Sequence, residues 1–336
     1  MDLYQPKPGY LINLSFITSH FSPLTSHLSP LMIRLHTCTG HKAALYALAP
    51  GRTERHFLSA GGDGWIVEWD TDAPESGTLL AAVETQVFSL CALPERDLVV
   101  AGNMNGGVHW IRYHEPEQTR NILHHQKGVY DILAMGSRIL TAGGEGLLTA
   151  WDIESARALE SYHLSNQALR CIAYNEARSE LAVGASDGSI YLLDSHSLAL
   201  RQVLTGAHKP SVFTVAYAPD GRYLLSGGRD AMLRVWDVED DFRLVSEQAA
   251  HWYTLNHIVF SPDGAFFATA SRDKTLKIWD SATFTLLKVV DTIRDGGHIN
   301  SVNRLLWLPE CLVSSSDDRS AILWGPHPPS PSPIER

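Results

Sequence analysis

A unit of some forty residues recurs along this chain and dictates most of what it can become. Its clearest copy is Asn256 to Asp280, NHIVFSPDGAFFATASRDKTLKIWD. Val259-Phe260 and Phe266-Phe267-Ala268 flank Ser261-Pro262-Asp263-Gly264. Pro at the second position and Gly at the fourth fit a type I turn between two strands. Arg272-Asp273-Lys274 makes a second tight turn, and Leu276 and Ile278 continue with period two along a third strand that ends in Trp279-Asp280. Residues 212–237, VFTVAYAPDGRYLLSGGRDAMLRVWD, repeat this unit almost position for position, as does HFLSAGGDGWIVEWD at 56–70. Weaker copies end in VAGNMNGGVHWI (100–111), LTAGGEGLLTAWD (140–152), LAVGASDGSIYLLD (181–194) and LVSSSDDRSAILW (312–324). Aligned on the end of the third strand, the anchors are Trp69, Ile111, Trp151, Leu193, Trp236, Trp279 and Trp324, with gaps of 42, 40, 42, 43, 43 and 45 residues. Seven such units predict an all-β chain: a seven-bladed β-propeller with four antiparallel strands per blade. In blade two Trp110 is one residue off the anchor register, so Ile111 takes the inward position and Trp110 faces the other way.

The two ends of the repeat array are each incomplete, and in complementary ways. Met32 to Thr39, MIRLHTCT, leads into Gly40-His41 as Leu200 to Gly206, LRQVLTG, leads into Ala207-His208. It reads as an outer strand with no inner strands before it. The last unit stops at Trp324 and runs into Gly325-Pro326-His327-Pro328-Pro329, which cannot continue a sheet. The N-terminal strand is therefore expected to complete the last blade, closing the ring and removing an exposed edge. The domain reading is a flexible extension at 1–31, the propeller at 32–325 and a flexible Pro/Ser-rich tail at 326–336.

Composition narrows the function. The net charge of −10 argues against a general nucleic-acid binder, which needs a basic face. Cys38, Cys91, Cys171 and Cys311 are scattered, without a Cys-x-x-Cys pair. They read as free thiols in a reducing compartment, the cytoplasm, and no metal or other cofactor is expected. Residues 1–31 carry only Asp2 and Lys7 as charges, and Leu11 to Phe21 is broken by Asn13, Ser15, Thr18, Ser19 and His20. The expectation is therefore neither a signal peptide nor a membrane span, with Met32 a candidate for the true start.

The repeats resemble the WD-repeat β-propellers, whose blades carry Gly-His near the start and Trp-Asp near the end. The resemblance covers residues 32 to 325. It draws attention to a polar set at fixed spacing: His41, Ser59, Asp63, Trp69; His208, Ser226, Asp230, Trp236; His251, Thr269, Asp273, Trp279; and His298, Ser314, Asp318, Trp324. Blade three keeps the spacing with His125, Thr141, Glu145 and Trp151, its longer acid predicting strain or rearrangement. Blades two and four lack the set, with Ala101, Asn105, Ile111 and Val183, Asp187, Leu193 in its place. Ser, His and Asp together suggest a hydrolase, but a catalytic triad is needed once, with an exposed nucleophile and an oxyanion hole. Repetition around a ring suits a structural hydrogen-bond network better. No catalytic residue is assigned.

The resemblance also implies where a partner would bind. In this family the face carrying the Gly-His and tight-turn loops often takes peptides, through two positions per blade. One lies five residues after the His, or at the matching point of the strand in blades two and four, which lack the His: Tyr46, Phe88, Tyr130, Arg170, Phe213, Asn256 and Asn303. The other precedes the turn acid: Gly62, Met104, Gly144, Ser186, Arg229, Arg272 and Asp317. Aromatic and Arg side chains are enriched at interface hot spots. Gly62 and Gly144, beside Tyr46 and Tyr130, are read as leaving room for an inserted side chain. Trp252 and Tyr253 add an aromatic pair to the same loop face, as a rim contact or as cover for the neighbouring blade. The expected function is a non-catalytic scaffold for a protein or peptide partner bearing acidic groups, a monomeric propeller within a larger complex, with no membrane contact. One alternative is a reader of nucleic acid or phosphate, using the Arg170, Arg229 and Arg272 sector with Tyr130 and Phe213 as stacking platforms. The other is an enzyme with a channel active site.

Overall fold

The computed structural model describes residues 32–326. The extension at 1–31 and the tail from 327 onward lie outside the described residues. Within them the chain forms seven four-stranded antiparallel sheets. Blade one shows the common plan: β2 (Leu45–Pro50) innermost, then β3 (His56–Gly61), β4 (Trp65–Asp70) and β5 (Thr78–Ala82) outermost. The inner strands of consecutive blades adjoin one another all the way round, and that of blade seven, Val302–Trp307, adjoins β2. They line a central channel.

Blade seven is assembled from both ends of the described chain. β1 (Ile33–Cys38) pairs antiparallel with Ala321–Gly325, matching Thr37 to Ile322 and Cys38 to Ala321. The outer strand of blade six holds this closing strand from the side. Lys288 Nζ donates to Met32 O at 2.6 Å, and Arg34 Nη1 donates to Gly296 O at 2.9 Å. Met32 is buried in a cluster with Ile278, Leu305 and Trp324.

The apolar core lies between blades rather than within them, because each sheet buries its two faces against its neighbours. Trp69 and Phe57 of blade one pack on Leu308, Val313 and Leu323 of blade seven. Ile111 packs toward blade one with Leu58 and Ile66, while Trp110 packs toward blade three beside Ile139 and Trp151. Two adjacent residues of one strand thus serve opposite interfaces, as period-two alternation requires.

The tight turn before each third strand needs a left-handed residue. Gly64, Gly106, Gly146 and Gly188 supply it in blades one to four, with φ between +75° and +91°, while Ala231, Lys274 and Arg319 adopt it in the last three. A Cβ at Gly146 would sit 1.6 Å from Ser165 O, so that turn admits no side chain.

If β1 closes the ring, a chain beginning at Gly40 should melt well below one beginning at Met32. Losing the ladder to Ala321–Gly325 and the burial of Met32 and Cys38 is expected to cost on the order of 5 kcal/mol, roughly 10 °C or more. Matching melting temperatures by calorimetry would refute the closure role of β1.

Candidate functional site

The polar set assembles into a relay in five blades. In blade six Trp279 Nε1 donates to Thr269 Oγ1 at 2.9 Å, and Thr269 Oγ1 lies 2.8 Å from His251 Nε2. His251 Nδ1 lies 2.9 Å from Asp273 Oδ2. The carboxylate also accepts the Trp252 and Thr275 backbone N–H groups. Blades one, five and seven repeat this through His41 with Ser59 and Asp63, His208 with Ser226 and Asp230, and His298 with Ser314 and Asp318. Trp69, Trp236 and Trp324 donate to the corresponding hydroxyls. In blade three Glu145 Oε1 reaches His125 Nδ1 at 2.6 Å, and His125 Nε2 and Trp151 Nε1 meet at Thr141 Oγ1. The extra methylene leaves Glu145 Oε2 buried without a partner.

Charge is partitioned within the relay. Burial holds His208 and His251 below the ordinary imidazole range despite the neighbouring carboxylates, so both are neutral at pH 7 and donate from Nδ1. Burial alone would raise Asp230 and Asp273. Hydrogen bonds from His208 and Arg234, and from His251, Thr275 and Trp252, outweigh it and hold both carboxyls well below 3.8.

The expectation that blades two and four have no such network needs correction. In blade two Asn105 sits in the turn, but the side chain that caps it comes from Asn103, the last residue of the preceding strand. Its Oδ1 accepts the N–H groups of Asn105 and Gly107, and its Nδ2 donates to Glu84 Oε1 and lies 3.0 Å from His109 Nε2. Ala101 and Ile111 are buried without polar atoms to satisfy. In blade four Asp187 is used after all: Ser165 Oγ and Tyr191 Oη both donate to its Oδ2 at 2.6 Å, while Val183 and Leu193 are buried among apolar neighbours. With Ser165 at the His position and Val183 where the inner hydroxyl would stand, the network is confined to the turn near the surface.

The first set of mouth positions shares one backbone feature. Every inner strand carries a register shift at its start, and the residue skipped is Tyr46, Phe88, Tyr130, Arg170, Phe213, Asn256 or Asn303. A bulged residue is released from the ladder and its side chain is re-aimed. The second set is tied to the first in all seven blades. The N–H of Gly62, Met104, Gly144, Ser186, Arg229, Arg272 and Asp317 donates to the carbonyl two residues before each bulge, at 2.8–3.1 Å.

The bulged side chains meet around the channel mouth. Tyr46 and Phe88 are edge-to-face at 5.4 Å between centroids, and Phe88 and Tyr130 are stacked at 5.4 Å. The Arg170 guanidinium lies 4.2 Å from the Tyr130 centroid and 5.3 Å from that of Phe213. Asn256 Nδ2 donates to Val302 O, and Asn303 Nδ2 donates to Leu45 O and Asp317 Oδ1. The room ascribed to Gly62 and Gly144 is already taken. A Cβ at Gly144 would lie 2.9 Å from the Tyr130 ring and from Lys127 Cβ, and one at Gly62 would lie 3.0 Å from Ala43 Cβ. These glycines accommodate the chain's own side chains. Arg229 and Arg272 are exposed on the rim, as are Met104 and Asp317. Trp252 is 88% exposed and Tyr253 63%, so neither covers a neighbouring blade.

Below the mouth lies a feature that repeat spacing did not reveal. Arg304 Nη2 donates to Asp131 Oδ1 at 2.8 Å, joining blades seven and three across the channel. Asp131 Oδ2 also accepts the Ile172 N–H of blade four. His257 Nδ1 accepts the Leu305 N–H, and burial together with Arg304 holds His257 far below the ordinary range, hence neutral.

Two outcomes follow. Asp273→Ala should destabilise the fold by about 1–3 kcal/mol for each buried partner it leaves unpaired, read from denaturant unfolding; unchanged stability would count against the relay. Acid should also weaken the fold in two stages. Below about pH 6.5 the unfolded chain takes up protons that buried His208 and His251 refuse, so the stability they confer is complete above that pH and declines beneath it. Asp230 and Asp273 have depressed values, so their contribution is complete above about pH 4 and is lost as pH falls toward those values. Melting temperature against pH should therefore rise through the acid range and level off near neutrality.

Comparison with known proteins agrees with this architecture. A repeat-family profile described as WD domain, G-beta repeat matches residues 32–70, 199–237 and 242–280. The chain is 28% identical over 149 residues to WD repeat-containing protein 90 of Xenopus tropicalis, covering 41% of this chain and 8% of that protein. It is 29% identical over 149 residues to human pre-mRNA-processing factor 17, covering 42% and 25%. With cilia- and flagella-associated protein 52 of Sus scrofa it shares 23% identity over 197 residues, covering 56% and 31%. The matched region thus spans under a third of each relative. The WD40 propeller domain of Doa1 superposes with a TM-score of 0.78 at 15% identity, covering 88% of this chain and 97% of that one. Three blades thus carry the WD repeat itself, and the ring of seven sheets has the fold of a WD40 β-propeller.

Proposed function

We propose that this chain is a non-catalytic scaffold whose top face, at the channel mouth, binds a peptide or protein partner, the propeller serving as one component of a larger assembly. The observation that carries this reading is the unbroken run of bulged side chains from Tyr46 through Phe88, Tyr130 and Arg170 to Phe213. These residues are not needed for the sheet ladders, yet they are half-buried and held against one another, which prepares a contact surface at low entropic cost.

The chemistry of the repeats speaks against catalysis by them. The hydroxyls of Ser59, Ser226, Thr269 and Ser314 belong to fully buried residues, and each accepts a Trp N–H. A nucleophile needs to be reached by substrate. A base-stacking role is also poorly served, because Tyr130 is flanked by Phe88 and Arg170, and Arg170 also covers Phe213. Among the described residues no helix is long and apolar enough to cross a membrane. All four cysteines are free, and Cys38, Cys171 and Cys311 are buried, which fits a reducing compartment such as the cytoplasm.

The test is an affinity capture comparing wild type with Tyr130→Ala/Arg272→Ala, after calorimetry has shown that the variant folds. A protein retained by the wild type and lost by the variant is the expected result. Equal capture by both, or capture by neither, would refute binding at the mouth.

A further inference from the structure

The mouth has a chemical polarity that selects among peptides, and Arg170 sets it. An aromatic pair such as Tyr130 and Phe213 would ordinarily make a slot for a partner's cationic side chain. Here the slot is filled from within, since the Arg170 guanidinium contacts both rings. Its orientation is fixed by a hydrogen bond from Nε to Ser186 Oγ at 2.8 Å, and Ser186 Oγ is itself held by Ser211 Oγ at 3.1 Å. That bond uses the Nε edge and leaves the paired Nη1 and Nη2 groups, which make no hydrogen bond or ion pair among the described residues.

Other arginines of this molecule are neutralised within the chain. Arg52, Arg201, Arg234 and Arg304 each pair with a carboxylate of the same chain. Arg170, Arg229 and Arg272, from three consecutive blades of a chain whose net charge is −10, form no such pair among the described residues. A guanidinium flanked by two rings is partly stripped of water. It keeps a planar fork that matches two carboxylate oxygens, and holding it in place beforehand reduces the entropy lost on binding.

We propose that Arg170 is the receptor for a carboxylate of the partner, so that the mouth takes an acidic peptide and rejects a basic one. The proposal rests on the reading of the mouth as a peptide site and names its ligand class. Arg229 and Arg272 add long-range attraction from the rim, and Asp317 on the opposite side sets the direction in which the peptide's charge must run.

The experiment is a selection of peptides from a random displayed library on the full chain. Synthetic versions of the selected peptides are then titrated by fluorescence polarisation against wild type, Tyr130→Ala and Arg170→Gln, with melting curves to verify folding. The expected peptides are enriched in Asp and Glu, and Arg170→Gln weakens them at least about tenfold. Replacing the critical peptide acid by its amide should weaken binding to wild type equally and to Arg170→Gln no further. A C-terminally amidated peptide tells whether the recognised carboxylate is a side chain or the chain end. Peptides that depend on Tyr130 but show no acidic preference, or that ignore Arg170→Gln, would overturn the carboxylate receptor and leave the mouth as a binding site. Finding no peptide that depends on Tyr130 would overturn both.

Discussion

The rest of this propeller depends on a buried carboxylate that ties two loops together. In each strong blade the turn acid accepts N–H groups from its own hairpin and from the segment entering the inner strand. Asp63 takes Trp65 N and Lys42 N, and Asp273 takes Thr275 N and Trp252 N. Because the anion is held from both sides, the entering chain arrives at a fixed height above the ring. The bulge follows a few residues later, and the mouth side chain is aimed by it. Stability and the geometry of the channel mouth thus share a single electrostatic anchor, while the residue presented at the bulge varies from Tyr to Arg to Asn without disturbing the anchor.

The departures from the repeat show what the anchor needs. Blade two replaces the acid with Asn103, which still supplies one oxygen to two turn N–H groups, and recruits Glu84 and His109 around it. Blade four keeps Asp187 but gives it hydroxyl donors in place of an imidazole. An acceptor oxygen at the turn survives in every blade; the inner relay to a Trp does not.

Much of this was legible in the chain alone. Anchor spacing gave the blade count, and the complementary defects at the two ends gave the closing strand. The ring of mouth residues followed from the offset to the His in five blades and from the strand pattern in blades two and four, because a repeat places equivalent residues in equivalent positions. Contacts that break the repeat were hidden. The Asp131 to Arg304 bridge joins residues from non-neighbouring blades, and nothing in the period marks them as partners. The Asn103 substitute was missed because alignment on the anchor pointed to Asn105, and geometry rather than offset decides which side chain reaches the turn. The packed state of Gly144 was missed for a related reason: a small residue signals close approach, but the sequence does not say of what.

Closure by β1 has a consequence for how the molecule is made. A ribosome delivers Ile33–Cys38 before any of its partners, while Ala321–Gly325 emerges after every other strand of the ring. Throughout synthesis the earliest strand waits with an unsatisfied edge, as do the inner blades whose faces lack a neighbour. The ring can join only once translation has passed Gly325. The interval is set by chain length rather than by the rate of any local folding step, and during it the nascent protein is most exposed to pairing with another copy of itself.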